Sequence, residues 1–112
     1  MERGKAAENA AARFLAGQGL RLVERNWRCK MGEIDLIVRD GGTLVFVEVR
    51  ARSGMGFGGA AASITAGKQS RIIRSAQLYL SALRSHPACR FDVVLLDGPK
   101  LSWIRDAFQA DG

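Results

Sequence analysis

Apolar and polar positions along the chain repeat with two periods, and the changes between them predict the elements. In residues 5–17, Ala6, Ala10, Phe14 and Gly17 share one side of a helix, with Ala7, Ala11 and Leu15 beside them; the spacing is close to helical. Gly17 and Gly19 end it. Residues 20–27 read as a strand of imperfect alternation marked by Leu20, Val23 and Trp27, followed by a basic turn over 28–32. Residues 33–38 and 44–50 are rich in Val, Ile, Leu and Phe and flank Asp40-Gly41-Gly42-Thr43, the pattern of a hairpin. The stretch 53–59 has four glycines in seven residues and predicts a flexible flap beside the hairpin. No Gly-Lys-Ser/Thr follows it at the spacing of a phosphate-cradling loop.

The longest predicted helix is 65–84, where Ile72, Ile73, Ala76, Tyr79, Leu80 and Leu83 form one apolar stripe. Ser63 or Thr65 can cap its start, and Lys68, four residues before Ile72, extends the inward stripe by one turn. After a break at 85–87, residues 90–96 hold the unbroken run Val93-Val94-Leu95-Leu96, suited to a strand covered on at least one face. Asp97-Gly98-Pro99 is a turn, 101–104 a short last strand, and 106–108 a closing turn or helical cap. The order α-β-β-β-α-β-β predicts an α/β sandwich around a mixed sheet. With no internal repeat or linker, residues 1–112 read as a single domain.

Composition narrows the chemistry. No run approaches the roughly 18 consecutive apolar residues of a membrane span, and Arg3, Lys5, Glu8 and Arg13 interrupt the N-terminal alanines, so a cytoplasmic protein is expected. Cys29 and Cys89 stand far apart and His86 is the only histidine, which disfavours a thiolate zinc site or a histidine-based triad. The formal net charge is +6, which suggests a polyanionic partner. Between Ser63 and Arg84 the charged residues are Lys68, Arg71, Arg74 and Arg84, all basic, where a merely solvated helix mixes signs.

Against this apolar background the hairpin carries Glu33, Asp35 and Glu48, and carboxylates in such a setting need compensation. With Gly41-Gly42 as a two-residue loop, Asp35 falls opposite Glu48, and Glu33 opposite Arg50. Directly opposed side chains have Cβ atoms about 4.5–5.5 Å apart, so the Asp35–Glu48 pair repels. Protonation of one acid relieves it, as does a basic side chain such as Arg50 or Lys68, or a divalent cation. Oxygen-only donors suit Mg²⁺ or Mn²⁺ better than zinc. The structural alternative is a Glu33–Arg50 pair with solvent-exposed acids at a sheet end, and a longer loop removes the opposition. Glu8 on the first helix has its own structural reading, an acid favoured by the helix dipole.

The acid Asp35 on one strand followed by Glu48-Val49-Arg50 on the next resembles the PD-(D/E)XK nuclease superfamily, with its restriction-endonuclease-like fold. More narrowly, the chain resembles the YraN-like family of small, largely uncharacterised bacterial proteins. The resemblance rests on residues 4–12 with Glu8, Arg25-Asn26-Trp27-Arg28, Gly32-Glu33-Ile34-Asp35-Leu36-Ile37, Phe46-Val47-Glu48-Val49-Arg50, Lys68, and Arg90-Phe91-Asp92-Val93-Val94. The layout is also similar to that of archaeal Holliday-junction resolvases.

The resemblance implies a metal-dependent endonuclease acting on DNA, branched or repair intermediates among its substrates, with a nucleic-acid-binding protein that has lost catalysis as the alternative. It assigns Asp35 and Glu48 as ligands of Mg²⁺ or Mn²⁺, with the Val49 carbonyl and Glu8 completing the set. A homodimer is expected by the same likeness. The superfamily's lysine is Arg50 here, and an arginine cannot act as a general base. Arg50 is left to hold the phosphate, and Lys68 to supply the ammonium. Arg28, Lys30, Arg52 and Arg71 are the expected grip on the nucleic-acid backbone.

Overall fold

A computed structural model describes residues 2–52 and 64–110, with the backbone alone for 2–4 and 52. Helix α1 (Glu2–Gly17) is followed by strands β1 (Arg21–Cys29), β2 (Gly32–Asp40) and β3 (Thr43–Arg52), helix α2 (Ala66–Ser81), and strands β4 (Cys89–Asp97) and β5 (Lys100–Phe108). The strands form one sheet in the order β1-β2-β3-β4-β5. All neighbours are antiparallel except β3 and β4. That parallel pair follows from the intervening α2, because parallel neighbours require a crossover. The order is the expected α-β-β-β-α-β-β. The glycine-rich stretch 53–59 and the alternative cap Ser63 lie outside the described residues.

The helices cover opposite faces of the sheet. Under α1, Ala11 and Leu15 pack with Leu20, Leu36, Val38, Val45, Val47 and Val94. The buried line of α1 is Ala7, Ala11 and Leu15, whereas Ala6 is exposed, so the helix is rotated by about one residue from the expected stripe. Glu8 therefore stands at the margin of the buried line. Under α2, Ile72, Ala76 and Tyr79 pack with Ile34, Ile37, Leu44, Phe46 and Phe91. The Tyr79 ring meets Trp27 and Phe46 edge-on, at centroid distances of 5.2 and 6.0 Å, the preferred aromatic geometry. Thr65 is the N-cap of α2, its Oγ1 accepting from the Lys68 amide at 3.2 Å, which fixes the turn that carries Lys68.

The C-terminal strand is longer than expected. Residues 106–108, anticipated as a closing turn, belong to β5. The register shifts between Phe91 and Val93, and Asp106 takes φ 54°, a left-handed conformation that Asp tolerates better than most residues. The cause is Asp92, fully buried on β4. Its carboxylate accepts from Arg90 Nε at 2.9 Å, Trp103 Nε1 at 3.0 Å and the Asp106 amide at 2.9 Å. The kink at Asp106 delivers that amide, and the strand resumes so that Phe108 stacks on Phe91 at 5.1 Å.

Candidate functional site

The site begins where the sheet loses its regularity. Gly41 takes φ 61°, and the two-residue turn sets the expected hairpin register from Asp40↔Thr43 to Leu36↔Val47. The pairing stops there, one residue short of Asp35. Leu36 and Val38 pack beneath α1, while Ile34 and Ile37 both pack beneath α2. Strict alternation would put residues 34 and 36 on the same face, so the pleat of β2 breaks between them. The β1–β2 register likewise passes from Arg25↔Leu36 to Trp27↔Ile34. Residues 26 and 35 drop out together, and Asn26 takes φ 51°.

This break corrects the expected ladder opposition of Asp35 and Glu48. Asp35 Oδ2 instead accepts a hydrogen bond from the Val49 amide at 2.8 Å, the donor that a continued ladder would turn toward Ile34. The Asp35 carboxyl is pushed up from 3.8 to about 7. Burial is the largest cause and the charge of Glu48 the next; the Val49 amide opposes them, and Glu8 and Glu33 raise it further. The repulsion anticipated between Asp35 and Glu48 thus operates without ladder pairing.

Glu8, Glu33 and Asp35 converge, each offering a carboxylate oxygen within 4.8 Å of the others. Glu8 comes from α1, whose small buried residues Ala7 and Ala11 bring that helix against the sheet. Asn26 Nδ2 lies between two of the acids, donating to Glu8 Oε1 at 3.0 Å and Glu33 Oε2 at 2.9 Å. Glu33 also lies 3.7 Å from Arg28 Nε, a half-exposed and weak pair. Glu33, expected opposite Arg50, is thereby a member of the acid cluster.

Glu48 points toward α2. Its side chain is 7% exposed, with Lys68 Nζ at 3.5 Å and Arg50 Nη1 at 3.7 Å. The structure therefore divides the four acids: three face one another, and the fourth is compensated by two cations. Of the expected ligand set, Glu8 and Asp35 stand together, Glu48 stands beside them with its own counter-charges, and Val49 touches Asp35 through its amide. Lys68 reaches inward as its place in the stripe implies. Arg28, Lys30 and Arg71 are solvent-exposed, and the side chain of Arg52 lies outside the described residues.

Two members escaped the sequence reading. Glu33 precedes Asp35 by two residues and so shares its face in a regular strand, a signal outweighed by the Arg50 pairing. Asn26 had one cue, since Asn is among the residues that accept positive φ.

The chain is similar in sequence to proteins of one family. The model of the uncharacterised protein family UPF0102 matches residues 7–96. A UPF0102 protein of Dechloromonas aromatica is 61% identical over 109 residues, covering 97% of this chain and 90% of that protein. One from Nitrosospira multiformis is 54% identical over 112 residues, covering 97% and 94%. One from Cupriavidus taiwanensis is 58% identical over 110 residues, covering 97% and 84%.

Proposed function

The chain belongs to the uncharacterised protein family UPF0102, and from that premise we propose that it is a metal-dependent nuclease hydrolysing phosphodiesters in DNA, branched or repair intermediates included. The observation that carries the reading is the gathering of Glu8, Glu33 and Asp35 within 4.8 Å around a carboxyl whose value is raised to about 7. Acids crowded at such a cost mark a place built for a positive charge. The donors are all oxygens, which fits a hard divalent cation, Mg²⁺ or Mn²⁺. Asp35, Glu8 and Glu33 would hold it, with Glu48 and the Val49 backbone adjacent. Such a cation, when bound, supplies Lewis-acid activation of water and charge neutralisation at the phosphate.

The chain's own residues divide the remaining work. Asp35 is oriented by the Val49 amide. Glu48 holds Lys68 and Arg50 beside the acid cluster, where both can offset charge that develops on phosphate oxygens. A guanidinium does not serve as a general base, so Arg50 is assigned to hold the phosphate and Lys68 to supply the ammonium. Arg28, Lys30, Arg52 and Arg71 bind the backbone of the nucleic acid without reading its sequence.

Branched, duplex and single-stranded DNA incubated with Mg²⁺ or Mn²⁺ test the proposal: the wild type cleaves and Asp35→Ala does not. No cleavage by the wild type, or equal cleavage by both, refutes it. Arg50 at the motif lysine favours a second reading, a nucleic-acid-binding protein without catalysis. On that reading binding survives Asp35→Ala and weakens steeply with salt.

A further inference from the structure

We propose that Asn26 is the positioning residue that assembles the cation site, an assignment that rests on the cation reading above. Three acids from two elements do not stay together unaided, because their charges repel. The Asn26 side chain supplies the restraint: Nδ2 spends one hydrogen on Glu8 Oε1 at 3.0 Å and the other on Glu33 Oε2 at 2.9 Å. The amide orientation follows from chemistry, since an amide oxygen turned toward two carboxylates would repel both. Each carboxylate keeps further lone pairs for a cation.

The backbone is arranged for this task. Asn26 has φ 51° and lies on the same rung as Asp35, where both ladders lose their pairing. The two kinks face each other across β1 and β2. One turns its side chain to the Val49 amide, and the other turns its amide to α1 and β2. The neighbouring Arg25 donates from Nη2 to Asn9 Oδ1 on α1, so this segment of β1 is tied to the helix at two consecutive residues. Asn26 touches no reacting atom; it acts through Glu8 and Glu33.

The test is calorimetric titration of the full chain with Mg²⁺, comparing wild type, Asn26→Gly and Asp35→Asn. Glycine accepts positive φ, so Asn26→Gly removes the side-chain amide and keeps the backbone. Partners that orient cation ligands typically contribute tenfold or more to affinity. Asn26→Gly is expected to weaken binding about tenfold, while Asp35→Asn abolishes it. In parallel, the Asn26 side-chain amide resonances of the wild type shift during the titration, with the calorimetric midpoint. Wild-type affinity in Asn26→Gly, or amide resonances that stay still while Mg²⁺ binds, overturns the assignment and leaves the cation reading intact. Absence of Mg²⁺ binding by the wild type overturns both.

Discussion

Replacing Asp35 by Asn is expected to stabilise the protein in the absence of divalent cations, and to do so only above acidic pH. The Asp35 carboxyl is raised from 3.8 to about 7 by burial and then by Glu48. A group whose value is raised on folding contributes stability that is fully present below its unfolded value. That stability is lost as pH climbs through the folded value. For Asp35 the loss runs from about pH 4 to about pH 7. The gap, at about 1.36 kcal/mol per pH unit, corresponds to roughly 4 kcal/mol. Partial exposure of the side chain and solvent screening reduce the expected gain at pH 8 to about 2 kcal/mol. The Asn side chain can still accept from the Val49 amide, so the 2.8 Å bond need not be lost. The assay is urea unfolding of wild type and Asp35→Asn in chelator, from pH 5 to pH 8. The difference between the two curves should be smaller at pH 5 than at pH 8, growing across that range as Asp35 of the folded wild type ionises, with an unchanged urea slope. A difference independent of pH, or a destabilised Asp35→Asn at pH 8, refutes the account of Asp35.

Further expectations follow from the same geometry. Mg²⁺ or Mn²⁺ should raise the melting temperature of the wild type in proportion to the logarithm of its concentration, more strongly at pH 8 than at pH 6, and leave Asp35→Asn unmoved. Lys68→Ala leaves Glu48 with Arg50; it should destabilise by about 1 kcal/mol in urea unfolding and, in the DNA assay, lower cleavage at least tenfold. Asp92→Ala leaves Arg90 Nε, Trp103 Nε1 and the Asp106 amide without their acceptor and should cost about 3–5 kcal/mol, measured by unfolding, with Mg²⁺ affinity unchanged in the folded fraction. Arg71→Ala should weaken DNA binding evenly across sequences and flatten its logarithmic salt dependence by about one.

Element order was legible because the strands and α2 advertise themselves by period: Ile72, Ala76 and Tyr79 are buried where a 3.6-residue repeat puts them. The turn was legible as one option, since Gly41-Gly42 suits a two-residue loop, and the register that follows from it holds as far as Leu36↔Val47. Irregularities were not legible. The break at Asp35, the kink at Asn26 and the bulge before Asp106 are set by side chains that seek partners on other elements, and a local pattern does not encode a partner. For that reason the candidate site was half readable. Asp35, Glu48 and Lys68 were singled out by type and place and Glu8 only by the family resemblance, whereas the separation of Glu48 from the other acids and the entry of Glu33 depend on the broken pleat. The last strand was underestimated for the same cause, as its continuation to Phe108 waits on Asp92.

The central claim is that Glu8, Glu33 and Asp35 form a seat for a hard divalent cation. The most direct test is a crystal of the wild-type chain grown with Mn²⁺ at pH 8 and measured at the manganese absorption edge. An anomalous peak among the Glu8, Glu33 and Asp35 carboxylates, absent from Asp35→Asn crystals, is the predicted result. Crystals that hold Mn²⁺ elsewhere, or nowhere, while the three carboxylates remain ordered would contradict it.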